Sequence, residues 1–193
     1  MTQQYGAILI DPPWSFDSYT RKGIVPARGA QPYPTMTLGE IAGLPVPALA
    51  AKNCALFMWK SASLPRAAAL LADAWGFRMV TDDVFVWVKP SIGMGYWSRK
   101  RSETACLMVR GRPPRIGKGV DQVITAPRRE HSRKPDEIYE RIEALVGGPY
   151  LEMFARQRRG GWDSWGNEVD KFDPIIDNIA TSNVIKENKC IGI

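Results

Sequence analysis

The strongest constraint on the fold is an alternation of short apolar runs with segments whose apolar residues recur at helical spacing. The runs predict strands at 5–10, 54–59, 79–89, 104–110, 120–125 and 151–154. Capping residues, prolines and glycines bound the predicted helices at 37–44, 63–75 and 135–146. Because strands that alternate with helices form mostly parallel sheets covered on both faces, the sequence predicts an α/β fold.

Two polar segments, 15–34 and 90–102, are longer than ordinary connections between such elements. The first is a candidate lid or substrate loop, and the second is a candidate substrate loop. In parallel sheets, ligands bind beyond the carboxyl ends of the strands. The strands that end at Ile10 and Phe154 are expected to be neighbours, so the residues after them should lie close together.

The first strand ends in Asp11-Pro12-Pro13-Trp14, which combines an acceptor carboxylate, a rigid turn and an aromatic face. An exocyclic amine of a nucleobase is a poor nucleophile because its lone pair is delocalised into the ring. Asp11 can accept one N–H of such an amine, and the proline carbonyls can accept the other. Trp14 offers a surface on which the base can stack. An ordinary turn is the alternative, but the motif favours methylation of a base amine.

The chain has 193 residues, which fit one domain. It carries 26 Lys and Arg against 20 Asp and Glu, a net charge of +6. Much of this excess falls in one stretch, which contains Arg99, Lys100, Arg101, Arg110, Arg112, Arg115, Lys118, Arg128, Arg129, Arg133 and Lys134. With Tyr96 and Trp97 interleaved for stacking, the stretch predicts a track for nucleic-acid phosphates; a solvated basic face is the alternative.

Cysteine and histidine are too few to indicate a disulfide framework or a metal site. The chain has Cys54, Cys106, Cys190 and the single histidine His131, all widely separated. It begins almost directly with a strand, without a charged leader followed by an apolar segment. No apolar run reaches the length of a membrane helix. The sequence therefore predicts a cytoplasmic protein without membrane association.

Two basic residues stand where an anion could bind. Lys134 lies at the start of a predicted helix, where free amides and the helix dipole favour groups such as a carboxylate. Arg156 lies between the last strand and the turn at Gly160-Gly161. Taken alone, each is also compatible with surface or loop packing.

Together these segments resemble the S-adenosylmethionine-dependent N6-adenine methyltransferases of the Asp-Pro-Pro-Trp (DPPW) family, related to the catalytic subunit of the messenger-RNA adenosine methyltransferase. The resemblance rests on ordered motifs at 11–14, 33–36, 95–97 with Glu103, 132–139, 151–156, 161–162 and 165–168. It covers residues 5 to about 171. It implies a Rossmann-like class I methyltransferase fold in permuted order, with the catalytic motif before the cofactor strand. The domain would comprise 1–171, followed by a C-terminal tail at 172–193.

The resemblance also implies roles for individual residues. It makes Asp11, Pro12, Pro13 and Trp14 catalytic. It assigns S-adenosylmethionine binding to Ile10, Asp11, Lys134, Arg156, Asn167 and Glu168, with Lys134 at the carboxylate and the last three at the ribose. The candidate substrate-binding residues are Tyr33, Tyr96, Trp97, Arg99, Lys100, Arg101, Glu103 and Arg129.

Three functions are compatible with this interpretation. Methylation of adenine in DNA is favoured because a compact chain without RNA-binding appendages resembles the stand-alone bacterial or phage branch of the family. The same reaction on RNA is the second. The third is a catalytically inactive nucleic-acid-binding subunit, which the intact motif residues Asp11, Lys134 and Asn167 make less favoured. The loop at 90–102 could form a homodimer interface instead of a phosphate track.

Overall fold

The polypeptide builds one large sheet flanked by helices, together with a separate hairpin. The computed structural model describes residues 3–15, 17–20, 23–26, 34–93, 97–172 and 184–185. The strands are β1 (Tyr5–Ile10), β2 (Asp17–Thr20), β3 (Gly23–Pro26), β4 (Ala50–Trp59), β5 (Arg78–Gly93), β6 (Lys100–Arg110), β7 (Val123–Thr125), β8 (Tyr150–Met153), β9 (Trp162–Trp165) and β10 (Val184–Ile185). The α-helices are α1 (Leu38–Ala42), α2 (Val46–Leu49), α3 (Ala67–Trp75) and α4 (Glu137–Leu145), and Glu130–Ser132 forms a 3₁₀ turn.

Eight strands form the sheet, in the order β10-β9-β8-β1-β4-β6-β5-β7, while β2 and β3 pair as an antiparallel hairpin. Among the described strands of the sheet, neighbours are parallel except where β6 pairs with β4 and β5. β1 lies between β4 and β8, with Ile10 opposite Met58 and Met153. The predicted parallel sheet, with the first strand beside the strand at 151–154, is confirmed.

Alternate residues of β1 enter two separate hydrophobic cores, because successive side chains of a strand point to opposite faces. Ile8 and Ile10 pack with residues of α1, α2 and α3 on one face. Ala7 and Leu9 pack with residues of α4 on the other. Helices therefore cover both faces, as predicted. In the part of the chain that the structure describes, no helix is long and apolar enough to cross a membrane.

Two local signals act as the sequence predicts. Thr37 caps α1: its side chain accepts a hydrogen bond from the backbone N–H of Glu40, whose carboxylate accepts one from the backbone N–H of Thr37. Gly76 ends α3 with a φ of +69°, in the left-handed region that glycine adopts without strain. Thr37 therefore fixes the start of α1 and Gly76 fixes the end of α3, and both helices cover the same face of the sheet.

Two predicted helix starts are displaced. α3 begins after Arg66 rather than at Ser63, because Pro65 disfavours helical geometry in the residue before it. α4 begins at Glu137 rather than Pro135, because the first hydrogen bonds after the proline run back three residues instead of four. Both predictions were right about the helix and wrong about its first turn.

The two long loops are shorter than predicted. β2 and β3 occupy part of 15–34. β5 extends to Gly93, where it still pairs with Lys100 of β6, so an antiparallel ladder replaces most of the loop predicted at 90–102.

β9 follows the strand predicted to be last. The sequence did not reveal it because its four residues include the polar Asp163 and Ser164.

Most of the predicted tail, at 173–183 and 186–193, lies outside the described residues. Its first residue, Phe172, donates its backbone N–H to the carbonyl of Arg156 over 3.0 Å. Further along, β10 pairs in parallel with β9 at the edge of the sheet. At both of these described points, the tail contacts the domain that precedes it.

Candidate active site

Side chains from several elements meet at one edge of the sheet, here called the carboxyl edge. β1, β4 and β8 are parallel, so their carboxyl ends lie there together. β6 is antiparallel to β4 and β5, which places the start of β6 and the end of β5 at the same edge. Asp11, Lys89, Glu103 and Arg156 are thereby brought close to Lys134, which lies shortly before α4.

A chain of alternating charges links these residues. Lys134 Nζ lies 2.7 Å from Asp11 Oδ2 and 3.5 Å from Glu103 Oε2. The other oxygen of Glu103 accepts a hydrogen bond from Lys89 Nζ, and Arg156 Nη2 lies 4.0 Å from Asp11 Oδ2. The side chains of Asp11 and Lys134 are only 25% and 15% exposed, so water screens this pair less than a surface ion pair.

Neighbouring charges keep Glu103 and Lys134 ionised. Burial alone would raise the pKa of Glu103, but Lys134 and Lys89 hold it below its usual range. Burial alone would lower the pKa of Lys134, but Asp11 and Glu103 raise it above its usual value. The pKa of Lys100 is lowered, chiefly by burial. At neutral pH Glu103 is therefore a carboxylate and Lys134 a cation.

Two buried tryptophans lie beneath the lysines. Lys134 Nζ is 5.5 Å from the ring centroid of Trp59, and Lys89 Nζ is 4.4 Å from that of Trp87. The two rings meet edge to face with their centroids 6.5 Å apart. Because cations are attracted to aromatic faces, the rings help to fix both lysines without adding a competing carboxylate.

A pocket opens beside Asp11 at the carboxyl edge. Its lining residues are Leu9, Asp11, Trp59, Arg133, Lys134, Ile138, Tyr139, Glu152, Phe154, Arg156, Gln157 and Phe172. The predicted site residues Asp11, Lys134 and Arg156 are among them. Lining residues without a role in the sequence predictions include Tyr139, Glu152, Gln157 and Phe172.

Glu152 is a half-buried residue in the wall of this pocket. It lies in β8 and accepts a hydrogen bond of 2.9 Å from the Tyr139 hydroxyl. Burial raises the pKa of Glu152 to about 7, with the hydrogen bond from Tyr139 opposing the rise and Asp11 adding to it. An acidic residue between Leu151 and Met153, inside an apolar strand, is the sequence signal that could have identified this position.

We expect Glu152→Gln to make the free energy of unfolding less dependent on pH. Because the pKa of Glu152 is raised from 4.5 to about 7 by folding, the native protein holds a proton that the unfolded chain has lost. Stability therefore falls as the pH rises through this window, and the amide cannot ionise. The loss of unfolding free energy with rising pH should therefore be smaller in Glu152→Gln than in the wild type, by on the order of 3 kcal/mol at about 1.4 kcal/mol per pKa unit. Urea unfolding at about pH 5 and pH 8 measures the difference.

Glu140 provides the matched control, because it lies exposed on α4 outside the pocket lining. Glu140→Gln should leave the pH dependence as it is in the wild type. An identical pH dependence in the wild type and in Glu152→Gln would contradict the presence of a titrating carboxyl in the pocket wall.

The turn after β1 is closed by backbone hydrogen bonds. The carbonyl of Pro12 accepts from the N–H of Trp14, and the carbonyl of Pro13 accepts from the N–H of Met36, each over 2.8 Å. A carbonyl oxygen has two lone pairs, so each can accept one further hydrogen bond. Trp14 Nε1 is buried and has no hydrogen-bond partner among the described residues. The turn is therefore rigid and still presents acceptors next to Asp11.

Three predicted cofactor residues lie beside the pocket rather than in its lining. Ile10 is fully buried in the core. Asn167 is exposed and Glu168 is half-buried. Both follow Gly166, where a Cβ atom would lie 3.1 Å from the backbone N and O of Ala155. The loop after β9 therefore packs directly against the chain that leaves β8.

The basic residues of the stretch do not lie on one surface, so they cannot all belong to the predicted phosphate track. Arg110 lies at the opposite edge of the sheet, where its guanidinium donates to three backbone carbonyls. Arg99, Lys100 and Arg101 lie at the carboxyl edge. The physical reason is β6 itself, whose length separates the cations at its start from those that follow its end.

The cations at the carboxyl edge differ in their surroundings. Trp97 and Arg99 are exposed. Arg101 is exposed as well, and it donates to the carbonyls of Lys89 and Pro90. These positions suit an extended ligand that passes outside the pocket.

Arg129 is already engaged within the protein. Its guanidinium donates to both carboxylate oxygens of Asp136, over 2.7 and 2.9 Å. A phosphate at Arg129 would have to compete with this bidentate pair. Tyr33 and Tyr96, the other aromatic candidates, lie outside the described residues.

The pocket suits a zwitterionic ligand that lies beside an amine. Lys134 and Arg156 offer positive charge for a carboxylate, and Asp11 and Glu152 offer oxygens to N–H donors. The proline carbonyls add acceptors from the turn. Within the described ranges, no group of three or more His, Cys, Asp or Glu is placed to hold a metal ion.

Known proteins align with most of this chain. The MT-A70 family pattern matches residues 5–168. The chain is 31% identical over 97% of its length to the type II methyltransferase M.MunI of a Mycoplasma species, of which it covers 86%. It is 30% identical to the probable N(6)-adenosine-methyltransferase MT-A70-like of Oryza sativa subsp. japonica and 29% identical to the human N(6)-adenosine-methyltransferase catalytic subunit METTL3. Each of these two matches covers 86% of this chain, but only 23% and 28% of the respective relative.

Proposed function

Since the chain belongs to the MT-A70 family of methyltransferases, we propose that it transfers a methyl group from S-adenosylmethionine to the exocyclic N6 amine of adenine in DNA. One observation carries the proposal: Asp11, Lys134 and Arg156 meet in the pocket beside the Asp-Pro-Pro-Trp turn. Cations and a carboxylate suit the amino-acid end of the cofactor, and the turn offers acceptors to the target amine.

The residues present fit S-adenosylmethionine. Lys134 would bind its carboxylate, as the cation nearest to Asp11. Arg156 would reach its ribose from the end of β8, and Asn167 and Glu168 would do so from the loop that packs against that end. When bound, the cofactor supplies an electrophilic methyl group on a sulfonium.

The Asp-Pro-Pro-Trp turn would hold the acceptor. Asp11 would accept one N–H of the adenine amine, and the free lone pair of the Pro12 or Pro13 carbonyl would accept the other. Hydrogen bonds from both amine hydrogens orient the nitrogen lone pair towards the methyl group. Because the turn is rigid, its acceptors need not move to make these bonds. Trp14 and Tyr33 would confine the base.

An adenine in a duplex must first leave the base stack. Flipping the base out of the duplex costs a few kcal/mol, and stacking of the base on Trp14 would offset roughly 1 to 3 kcal/mol of this free energy. Contacts between phosphates and Arg99, Lys100 and Arg101 would supply part of the remainder, because these residues lie at the same edge as Asp11. The site and the basic residues would therefore act on one strand together.

The extent of similarity supports DNA as the substrate. The chain matches the type II methyltransferase M.MunI over most of both lengths. The relatives named as adenosine methyltransferases are matched over about a quarter of their own length. Transfer to RNA is the second candidate, because those relatives still align with 86% of this chain. The intact Asp11, Lys134 and Asn167 disfavour an inactive subunit.

A methyl-transfer assay on three nucleic acids tests the substrate. Purified protein is incubated with methyl-tritiated S-adenosylmethionine and single-stranded DNA, duplex DNA or RNA of the same sequence. We expect DNA to be labelled faster than RNA. Faster labelling of RNA would reassign the substrate, and no transfer to any of them would reject the enzymatic function.

Replacing Arg99, Lys100 and Arg101 with Ala should weaken binding of nucleic acid regardless of its sequence. If these residues bind phosphates, the slope of log affinity against log salt should fall by up to about 0.9 for each duplex phosphate that the variant no longer binds. Affinity for S-adenosylmethionine should be unchanged, because none of the three lines the pocket. Salt-titrated binding and calorimetry measure the two affinities.

A control variant removes the same charge from the opposite edge of the sheet. Lys52, Arg112 and Lys118 are exposed there or in the loop that follows β6, and their replacement with Ala should leave the salt slope nearly unchanged. Sedimentation of both triple variants distinguishes the two interpretations of the 90–102 region. Conversion of the Arg99 triple variant from dimer to monomer, with an unchanged salt slope, would reject the phosphate track in favour of a dimer interface.

A further inference from the structure

Lys89 is a buried charged residue to which the proposed reaction gives no role. It is 9% exposed, and it is the one Lys, Arg, Asp or Glu that is buried in the described part of the chain. It does not line the pocket beside Asp11. Because a buried charge is costly unless a partner compensates it, the contacts of Lys89 indicate what its charge does there.

The register of the sheet places Lys89 beside Glu103. Trp87 and Lys89 are two residues apart in β5, so their side chains lie on one face, and Glu103 of β6 is paired with Trp87. Lys89 and Glu103 therefore form a diagonal cross-strand pair, in which Lys89 Nζ donates to Glu103 Oε1. The Trp87 ring that lies 4.4 Å from Lys89 Nζ is itself fixed, because its Nε1 donates to the carbonyl of Ala126 over 2.8 Å.

Glu103 is shared unequally between two lysines. Its Oε1 accepts the hydrogen bond from Lys89. Its Oε2 lies 3.5 Å from Lys134 Nζ, farther than the about 2.7 to 2.9 Å of a charge-assisted hydrogen bond. Lys89 is therefore the closer partner of Glu103, and Glu103 holds Lys134 only weakly.

This arrangement leaves one N–H of Lys134 for a ligand. An ammonium group has three N–H donors. Lys134 Nζ donates to Asp11 Oδ2 over 2.7 Å and to the carbonyl of Ser132 over 3.5 Å. Its third donor can bind Glu103 closely or a ligand closely, but not both. Since Glu103 already has Lys89 as its closer partner, this donor is available to a carboxylate in the pocket.

We propose that Lys89 is a positioning residue for the carboxylate of the cofactor, an inference that rests on the proposed function. Lys89 binds Glu103, so that Lys134 can bind the carboxylate of S-adenosylmethionine. Without Lys89, Lys134 would become the principal partner of Glu103. Glu103 would then hold Lys134 and repel the carboxylate of the ligand. Lys89 thus affects cofactor binding through Glu103, without touching the cofactor.

Two cofactors and a double variant test this chain of contacts. Decarboxylated S-adenosylmethionine lacks the group that Lys134 is proposed to bind. Calorimetry compares it with the complete cofactor in the wild type, in Lys89→Met, Lys89→Arg and Glu103→Gln, and in the double variant that combines Lys89→Met with Glu103→Gln. Lys60→Met is the matched control, because Lys60 follows the carboxyl end of β4 and pairs with Asp82 at 2.8 Å outside the pocket lining.

We expect Lys89→Met to weaken binding of S-adenosylmethionine by about tenfold, within the usual coupling between residues of one ion-pair network. Binding of the decarboxylated cofactor should not weaken, because that ligand brings no carboxylate for Glu103 to repel. Lys89→Arg should retain most of the wild-type affinity, since it keeps a donor and the charge. Lys60→Met should match the wild type with both cofactors.

The double variant shows whether Lys89 acts through Glu103. An amide at position 103 neither holds Lys134 by its charge nor repels a carboxylate. Adding Lys89→Met to Glu103→Gln should therefore change the affinity for S-adenosylmethionine by less than about twofold, the usual limit for uncoupled sites. Thermal unfolding shows whether each variant is folded. If Lys89→Met does not fold, Lys89→Gln takes its place with the same expected direction, because it keeps a donor without the charge.

Three results would overturn the proposal. Unchanged affinity for S-adenosylmethionine in the folded Lys89 variant would show that Lys134 does not depend on Lys89. Equal weakening of both cofactors would show a general distortion of the pocket. A tenfold loss that persists in the double variant would show that Lys89 acts without Glu103. Failure of the wild type to bind S-adenosylmethionine would instead reject the proposed function itself.

Discussion

Asp11→Ala should lower the rate of methyl transfer by at least about 100-fold, because it removes a fixed acceptor from the reacting amine. The fold should survive, since Asp11 follows a strand end and Lys134 keeps a second partner in Glu103, 3.5 Å away. Single-turnover assays with saturating cofactor and nucleic acid measure the chemical step directly. Thermal unfolding of the same sample shows whether the protein is folded.

Asp11→Asn tests whether an acceptor oxygen is sufficient without the negative charge of the carboxylate. The amide retains an oxygen that can accept the amine N–H, so we expect partial activity. Asp73→Ala is the control, because Asp73 is exposed on α3 and does not line the pocket. Near wild-type turnover in a folded Asp11→Ala variant would overturn the proposed site.

Lys134→Ala should weaken binding of S-adenosylmethionine by about 1 to 3 kcal/mol, the range for removing a hydrogen bond to a charged group. This corresponds to roughly 5- to 150-fold in dissociation constant. Removing Lys134 also leaves Asp11 and Glu103 without their shared cation. Calorimetry on the folded variant gives the change in affinity.

Decarboxylated S-adenosylmethionine distinguishes a direct contact from a structural effect. This ligand lacks the group that Lys134 is proposed to bind, so its affinity should be nearly the same in the wild type and in Lys134→Ala. Lys60→Ala is the control, because Lys60 follows β4 and pairs with Asp82 at 2.8 Å outside the pocket lining. Unchanged affinity of the complete cofactor in Lys134→Ala would show that this half of the site has been misassigned.

Local sequence patterns predicted the parts of the site that lie at strand ends. The apolar run that ends before Asp11 predicted β1, and the run at 151–154 predicted β8 as its neighbour, as Ile10 opposite Met153 shows. Adjacent parallel strands necessarily bring the residues after them together, so Asp11 and Arg156 could be placed near each other from sequence alone.

The pairing of β6 could not be predicted in the same way. Its antiparallel direction depends on contacts with β4 and β5, and it decides that Glu103 and Lys89 reach the carboxyl edge while Arg110 does not. The sequence did not indicate Lys89 as a residue of the site, because a lysine at a strand end is usually exposed to solvent. Phe172 lay beyond the last motif, and contacts that the sequence does not show place it at the pocket: its ring lies near Arg133 and Arg156, and its backbone N–H donates to the Arg156 carbonyl.

Identification of the methylated nucleoside tests the central claim most directly. Duplex DNA is incubated with the wild type or with Asp11→Ala and S-adenosylmethionine, digested to nucleosides and analysed by mass spectrometry. We predict N6-methyldeoxyadenosine with the wild type and none with Asp11→Ala. Methylation of cytosine, or equal N6-methyldeoxyadenosine from both proteins, would contradict the proposed function.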